Sequence, residues 1–167
     1  MNRILPAAMV LAMLTACNQK PTTDKSIENL TAKVQELKDK YRPGLGDFMV
    51  GIQLHHSKLW FAGINNNWKL AEYEIGEIKE SFEDIKNVET DRPEVKTIDM
   101  IQPPLDSLAG AITQKNEVAF RQQFELLTAT CNKCHRANKF EFNVITIPTE
   151  PPVYNQDFKP HSLMPHS

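Results

Sequence analysis

Glycine is scarce in this sequence, six residues in 167, and no glycine-rich phosphate loop stands out. Cysteine is scarcer still: three residues, too few for a disulfide-stapled scaffold. There is no long basic run, and 19 Lys plus Arg against 21 Asp plus Glu leave a formal charge of −2. That balance argues against a nucleic-acid partner. No apolar run approaches the roughly 20 residues that a bilayer-spanning helix needs. Paired carboxylates and a Ser/His/Asp set are missing too, so nothing points to hydrolytic chemistry. What remains is a chain 41% hydrophobic and 24% charged, long enough for one modest globular domain. Five of its 11 prolines fall between Pro148 and Pro165, which suggests a helical body followed by an irregular tail.

The N-terminus reads as an address. Arg3 is followed by an apolar run, Ile4 to Leu14, of about 11 residues, which suits a signal peptide and not an anchor helix. Leu14-Thr15-Ala16-Cys17 then resembles the lipobox of bacterial lipoproteins. The resemblance implies cleavage before Cys17, lipidation of that residue and a mature chain tethered outside the cytoplasm, on the periplasmic side. The alternative is an ordinary secretory signal with Cys17 incidental. Asn18 after the cysteine leans, by the same resemblance, toward the outer membrane.

The body carries amphipathic stripes at helical spacing. Ile27, Leu30, Val34, Leu37 and Tyr41 form the first, on an arm within residues 17–43. Its stripe either packs back on the body or joins two copies as a coiled coil, giving a homodimer. Leu45, Met49, Ile52, His56, Leu59 and Gly63 form the second, with Phe48 and His55 flanking it. Trp68, Ala71, Ile75, Ile78, Phe82 and Ile85 form the third, and the acids from Glu72 to Asp84 read as its solvated face. Ile98, Ile101, Leu105, Leu108 and Ile112 form the fourth, with a capping box at Asp91 and Glu94 and a kink at Pro103-Pro104. Phe120, Phe124, Leu127, Cys131 and Cys134 form the last. Asn67 and Asn116 stand where N-caps belong. Short connections favour antiparallel neighbours, so the expected fold is all-α: an antiparallel four-helix bundle over 44–138, with a Pro-rich strap over 139–167.

Cys131-Asn132-Lys133-Cys134-His135 carries the chemistry. Cys-x-x-Cys-His is the attachment signature of haem c. Two thiols one helical turn apart can add to the two vinyl groups of one haem. The adjacent histidine then supplies an axial nitrogen to the iron. Three rivals stay open. Zinc needs a fourth ligand, for which His55 or His56 is available. A redox dithiol would normally open a helix, whereas this pair closes one. A plain disulfide suits an oxidising compartment.

A helical body with its Cys-x-x-Cys-His near the end of the last helix resembles the cytochrome c′ class, over roughly Leu45 to Ala137. The segment His55-His56-Ser57-Lys58-Leu59-Trp60-Phe61-Ala62-Gly63 with Asn67-Trp68 is also similar to a group of small bacterial cytochrome-like proteins. The resemblance implies one haem c per chain, with Cys131 and Cys134 as thioether attachments and His135 as the proximal iron ligand. His56 is the first candidate for the opposite side of the iron, with Met49 and His55 as alternatives. Closed coordination suits one-electron transfer, and the expected protein is a carrier and not an enzyme. An open sixth position would suit binding of nitric oxide or carbon monoxide. Lys133, Arg136 and Lys139 around the motif either form the solvated face of the helix or steer an acidic redox protein partner.

Overall fold

The computed structural model describes residues 23–161. The leader, the lipidation position Cys17 and the last six residues lie outside the described residues. The chain divides into two compact units between Arg42 and Pro43. The first contains α1 (Thr23–Tyr41), whose apolar residues fall on one face at spacings of three and four. Lys38 and Lys40 sit in its last turn, where the helix dipole favours positive charge.

The second unit comprises α2 (Leu45–Ile64), α3 (Trp68–Val88), a single turn α4 (Val95–Ile98), a 3₁₀ turn (Asp99–Ile101), α5 (Gln102–Thr113) and α6 (Glu117–Ala137). It is all-helical: among the described residues there is no strand. The Asp47 carboxylate accepts the Gly44 N–H at 2.9 Å and places negative charge at the start of α2. Asn67 caps α3 by accepting from Leu70 N (3.3 Å), and Asn116 caps α6 by accepting from Ala119 N (3.0 Å). Asn66, at φ 59°, turns the chain in the left-handed region that asparagine tolerates. No described helix is long and apolar enough to cross a membrane.

The fourth stripe departs from expectation. It is not one kinked helix but α4, a 3₁₀ turn and α5 in succession, with Pro103 and Pro104 in the first turn of α5. There their missing N–H groups have no intrahelical partner to lose, so they start a helix instead of bending one. Glu94 makes no capping box either, because Arg92 holds its carboxylate through Nη2 (2.9 Å) and Nε (3.3 Å).

α2 packs chiefly on α3 and α5 on α6, while α3 also meets α5 and α2 meets α6. The core they enclose is built from the predicted stripes, with Leu59, Ile78, Ile85, Leu105, Leu108, Phe120, Phe124 and Leu127 fully buried. Burying each such side chain contributes about 1.5–3 kcal/mol. Gly63 lies directly against the Phe120 ring, so these two positions determine how closely α2 and α6 approach.

Beyond α6 the alternation from Phe140 to Val144 does not form extended structure. Lys139 takes φ 64°, Phe140 N bonds back to His135 O (2.8 Å) and Asn143 N to Phe140 O (2.9 Å). The left-handed residue and the turn spend the backbone donors that an extended segment would present. Farther on, Phe158 is buried against Phe61, and Asn67 donates to Lys159 O at 3.2 Å.

Candidate functional site

Cys131, Cys134 and His135 stand in the last two turns of α6, and spacings of three and four bring them to one side of the helix. All three line a cavity of about 310 Å³, lined also by Met49, Ile52 and His56 of α2, Phe82 of α3, Ile98 and Ile101. Asn143 and Ile145 of the tail complete the wall. A second cavity of about 210 Å³ adjoins it, lined in common by Gly46, Met49, Ile98, Cys134, His135 and Asn143. The lining is mostly apolar, with a few polar groups from α2, α6 and the tail, as binding sites for small molecules and cofactors commonly are.

His135 is oriented by the tail. Its Nδ1 lies 2.6 Å from the Asn143 carbonyl oxygen. A carbonyl only accepts, so Nδ1 carries the hydrogen and, in the neutral ring, Nε2 keeps its lone pair. A ring nitrogen fixed in this way is the usual outer support of a metal-bound histidine. Cys134 Sγ lies 3.7 Å from Thr97 Oγ1 and 3.6 Å from Asn138 Nδ2, both weak contacts. Burial, with a smaller contribution from neighbouring Cys134, pushes the Cys131 thiol up to about 12. That is the reverse of the depressed value that activates a redox dithiol.

Two thiols one turn apart and an adjacent imidazole on one wall of a mostly apolar cavity are what covalent attachment of haem would need. Among the described residues, no three His, Cys, Asp or Glu converge to hold a metal ion. Zinc ligation would require such convergence. Haem attachment does not, because the thiols bond to the ring periphery and only the histidine meets the metal.

The three candidates for the opposite side of the iron are placed differently. Met49 lines both cavities and is half-buried. His56 also lines the larger one, but its Nε2 lies 2.8 Å from Thr128 Oγ1. The Thr128 hydroxyl gives its single hydrogen to Phe124 O (2.9 Å), so Nε2 of His56 donates to Thr128. Its ring also lies 4.4 Å from that of Phe124. His55 lines neither cavity; its Nδ1 contacts Glu74 Oε2 at 2.6 Å and its Nε2 is 4.0 Å from Glu77. Glu74 corrects the reading of the Glu72–Asp84 acids as wholly solvated, since it is 1% exposed and its Oε1 has no hydrogen-bond partner. Its neighbours in sequence give no sign of this; His55 across the helix pair does.

Burial lowers the His56 pKa from 6.5 to about 4. Above pH 6.5 both folded and unfolded chains hold a neutral ring. Between that pH and about 4 only the unfolded chain takes up the proton, so stability falls as the pH falls. The full contribution is about 3 kcal/mol. Urea unfolding is expected to show a loss of stability between pH 7 and pH 5 that His56→Gln flattens. Equal slopes in the two proteins would contradict the assignment.

Asn132 is a site residue that sequence reasoning passed over as a variable position of the motif. Its Nδ2 donates to Ile145 O (2.7 Å), and its Oδ1 accepts from Ile145 N (2.8 Å). Lys133, Arg136 and Lys139 are exposed beside it. The Trp60 ring lies tilted against Phe124 (4.9 Å) and under the Arg121 guanidinium (5.3 Å). Compared with protein-family models, curated proteins and solved structures, the chain finds no match.

Proposed function

We propose that this chain is a single-haem c-type cytochrome that carries one electron at a time outside the cytoplasm. Its helices form a cytochrome c′-like antiparallel four-helix bundle, and the Pro-rich tail is a strap across the haem site. Cys17 supplies the lipid tether, with the outer membrane favoured. The observation that carries the reading is the wall of the larger cavity. There two thiols one turn apart stand beside an imidazole whose Nδ1–H is given to Asn143 O, leaving Nε2 to ligate. Bound haem would supply reversible ferric–ferrous exchange.

The chain's own residues would do the rest. Cys131 and Cys134 would hold the ring by thioether bonds, so the cofactor is not lost with each change of charge. Ile52, Phe82, Ile98 and Ile101 give the cavity apolar walls, which would act on the potential. Met49 is favoured for the sixth position, because it borders both cavities while the His56 Nε2 is committed to Thr128. Lys133, Arg136 and Lys139 offer positive charge to an acidic redox partner in an otherwise acidic chain.

Carbon monoxide separates electron transfer from gas binding. The reduced holoprotein is expected to give the same visible spectrum with and without the gas, and Met49→Ala is expected to bind it. A Met49→Ala protein that still ignores the gas would pass the sixth position to His56. A wild-type spectrum that shifts promptly would replace the carrier with a gas-binding haem protein.

A further inference from the structure

The geometry points to Asn132 as a positioning residue for the iron ligand: by clamping Ile145 it holds the Asn143 carbonyl on His135 Nδ1 and so sets the donor strength of His135. This rests on the haem reading above. The tail leaves α6, turns between His135 and Asn143, and runs back along the helix, so that Asn143 meets His135 and Ile145 meets Asn132. Asn132 and His135 are one turn apart, about 4.5 Å along the axis. An amide side chain presents one donor and one acceptor side by side, which matches the C=O and N–H of a single backbone residue. Both bonds are made, at 2.7 and 2.8 Å. Each fixes Ile145, two residues from the carbonyl that His135 uses.

A carbonyl that accepts from Nδ1–H draws the ring toward imidazolate and makes Nε2 a stronger donor, which favours ferric over ferrous iron. Outer partners of metal-bound histidines typically alter metal affinity 10–100-fold when removed. Release of the clamp lets the Asn143 carbonyl leave the ring, so the ferrous form gains. In the holoprotein, Asn132→Ala is expected to shift the ferric–ferrous equilibrium about tenfold toward ferrous. For one electron that is a rise of about 59 mV. Ile145→Pro removes the N–H that Asn132 accepts, without touching any helix, and is expected to move the potential the same way. Gln122→Ala, exposed and uncharged on the same helix, is expected to leave it in place.

A second readout is hydrogen exchange at His135 Nδ1 by NMR. The proton is expected to be protected in the wild type and to exchange at least tenfold faster in both clamp variants. Covalent haem with an unchanged potential and unchanged exchange in Asn132→Ala and Ile145→Pro would overturn the positioning role and leave the haem reading standing. A wild-type chain that takes no haem would overturn both.

Discussion

The double variant Cys131→Ala/Cys134→Ala is expected to lose all covalently held haem, while its helix content stays close to that of the wild type. The two effects separate because the cysteines contribute little to the core. Each is half-buried near the end of α6, whereas Phe120, Phe124 and Leu127, which anchor that helix, lie roughly one to four turns earlier. Truncating a half-buried thiol removes far less apolar surface than truncating a core aromatic residue, for which the loss is about 3–5 kcal/mol. Under the haem reading the thiols' function is chemical. In the proposed reading, Cys131 and Cys134 would hold haem by thioether bonds from the wall of the cavity that they line. Mass spectrometry under denaturing conditions reads the outcome. Haem that survives denaturation in the double variant would mean another attachment, and a collapse of helix content would mean the pair is structural.

Gly63→Ala is expected to destabilise the helical unit by about 3 kcal/mol, lowering its midpoint by roughly 10 °C. A methyl group at Gly63 would overlap Cζ, Cε1 and Cε2 of the Phe120 ring. That ring cannot step aside. It is fully buried, with Trp60, Trp68 and Phe124 packed around it at centroid distances of 6.2, 6.1 and 5.8 Å. Relief requires α2 and α6 to separate, which strains the cores of both. Gly76→Ala in α3 is the opposing case. A Cβ there meets nothing within 4 Å, so helix propensity alone acts and a gain of about 0.5–1 kcal/mol is expected. Thermal unfolding of the two variants decides between a close helix contact and a general glycine effect. Two shifts of the same sign would remove Gly63 as the reason for the approach.

The helices were legible because their signals are local. Ala71, Ile75, Ile78, Phe82 and Ile85 repeat at a helical period and are all buried, and the asparagine caps lie within three residues of what they cap. The Cys-x-x-Cys-His motif is legible for the same reason, since all its parts sit within five residues. What escaped depends on partners distant in sequence. Nothing near Asn132 announces Ile145, because the pairing exists only after Lys139 enters the left-handed region and the tail reverses. Thr128 lies 72 residues from His56, yet its hydroxyl decides which nitrogen of that ring is engaged. Glu74 looks like its solvated neighbours until His55 is placed across from it. The fourth stripe misled for a different reason: its apolar spacing runs on through Pro103 and Pro104, while the backbone restarts there.

The most direct test of the central claim is the visible spectrum of the wild-type chain, exported alongside a haem-maturation system and then denatured and extracted with acidified organic solvent. A haem spectrum that stays with the polypeptide, one haem for each chain, is the result expected if Cys131, Cys134 and His135 form the attachment site. Colour that leaves entirely with the solvent, or a chain that never acquires any, would contradict it.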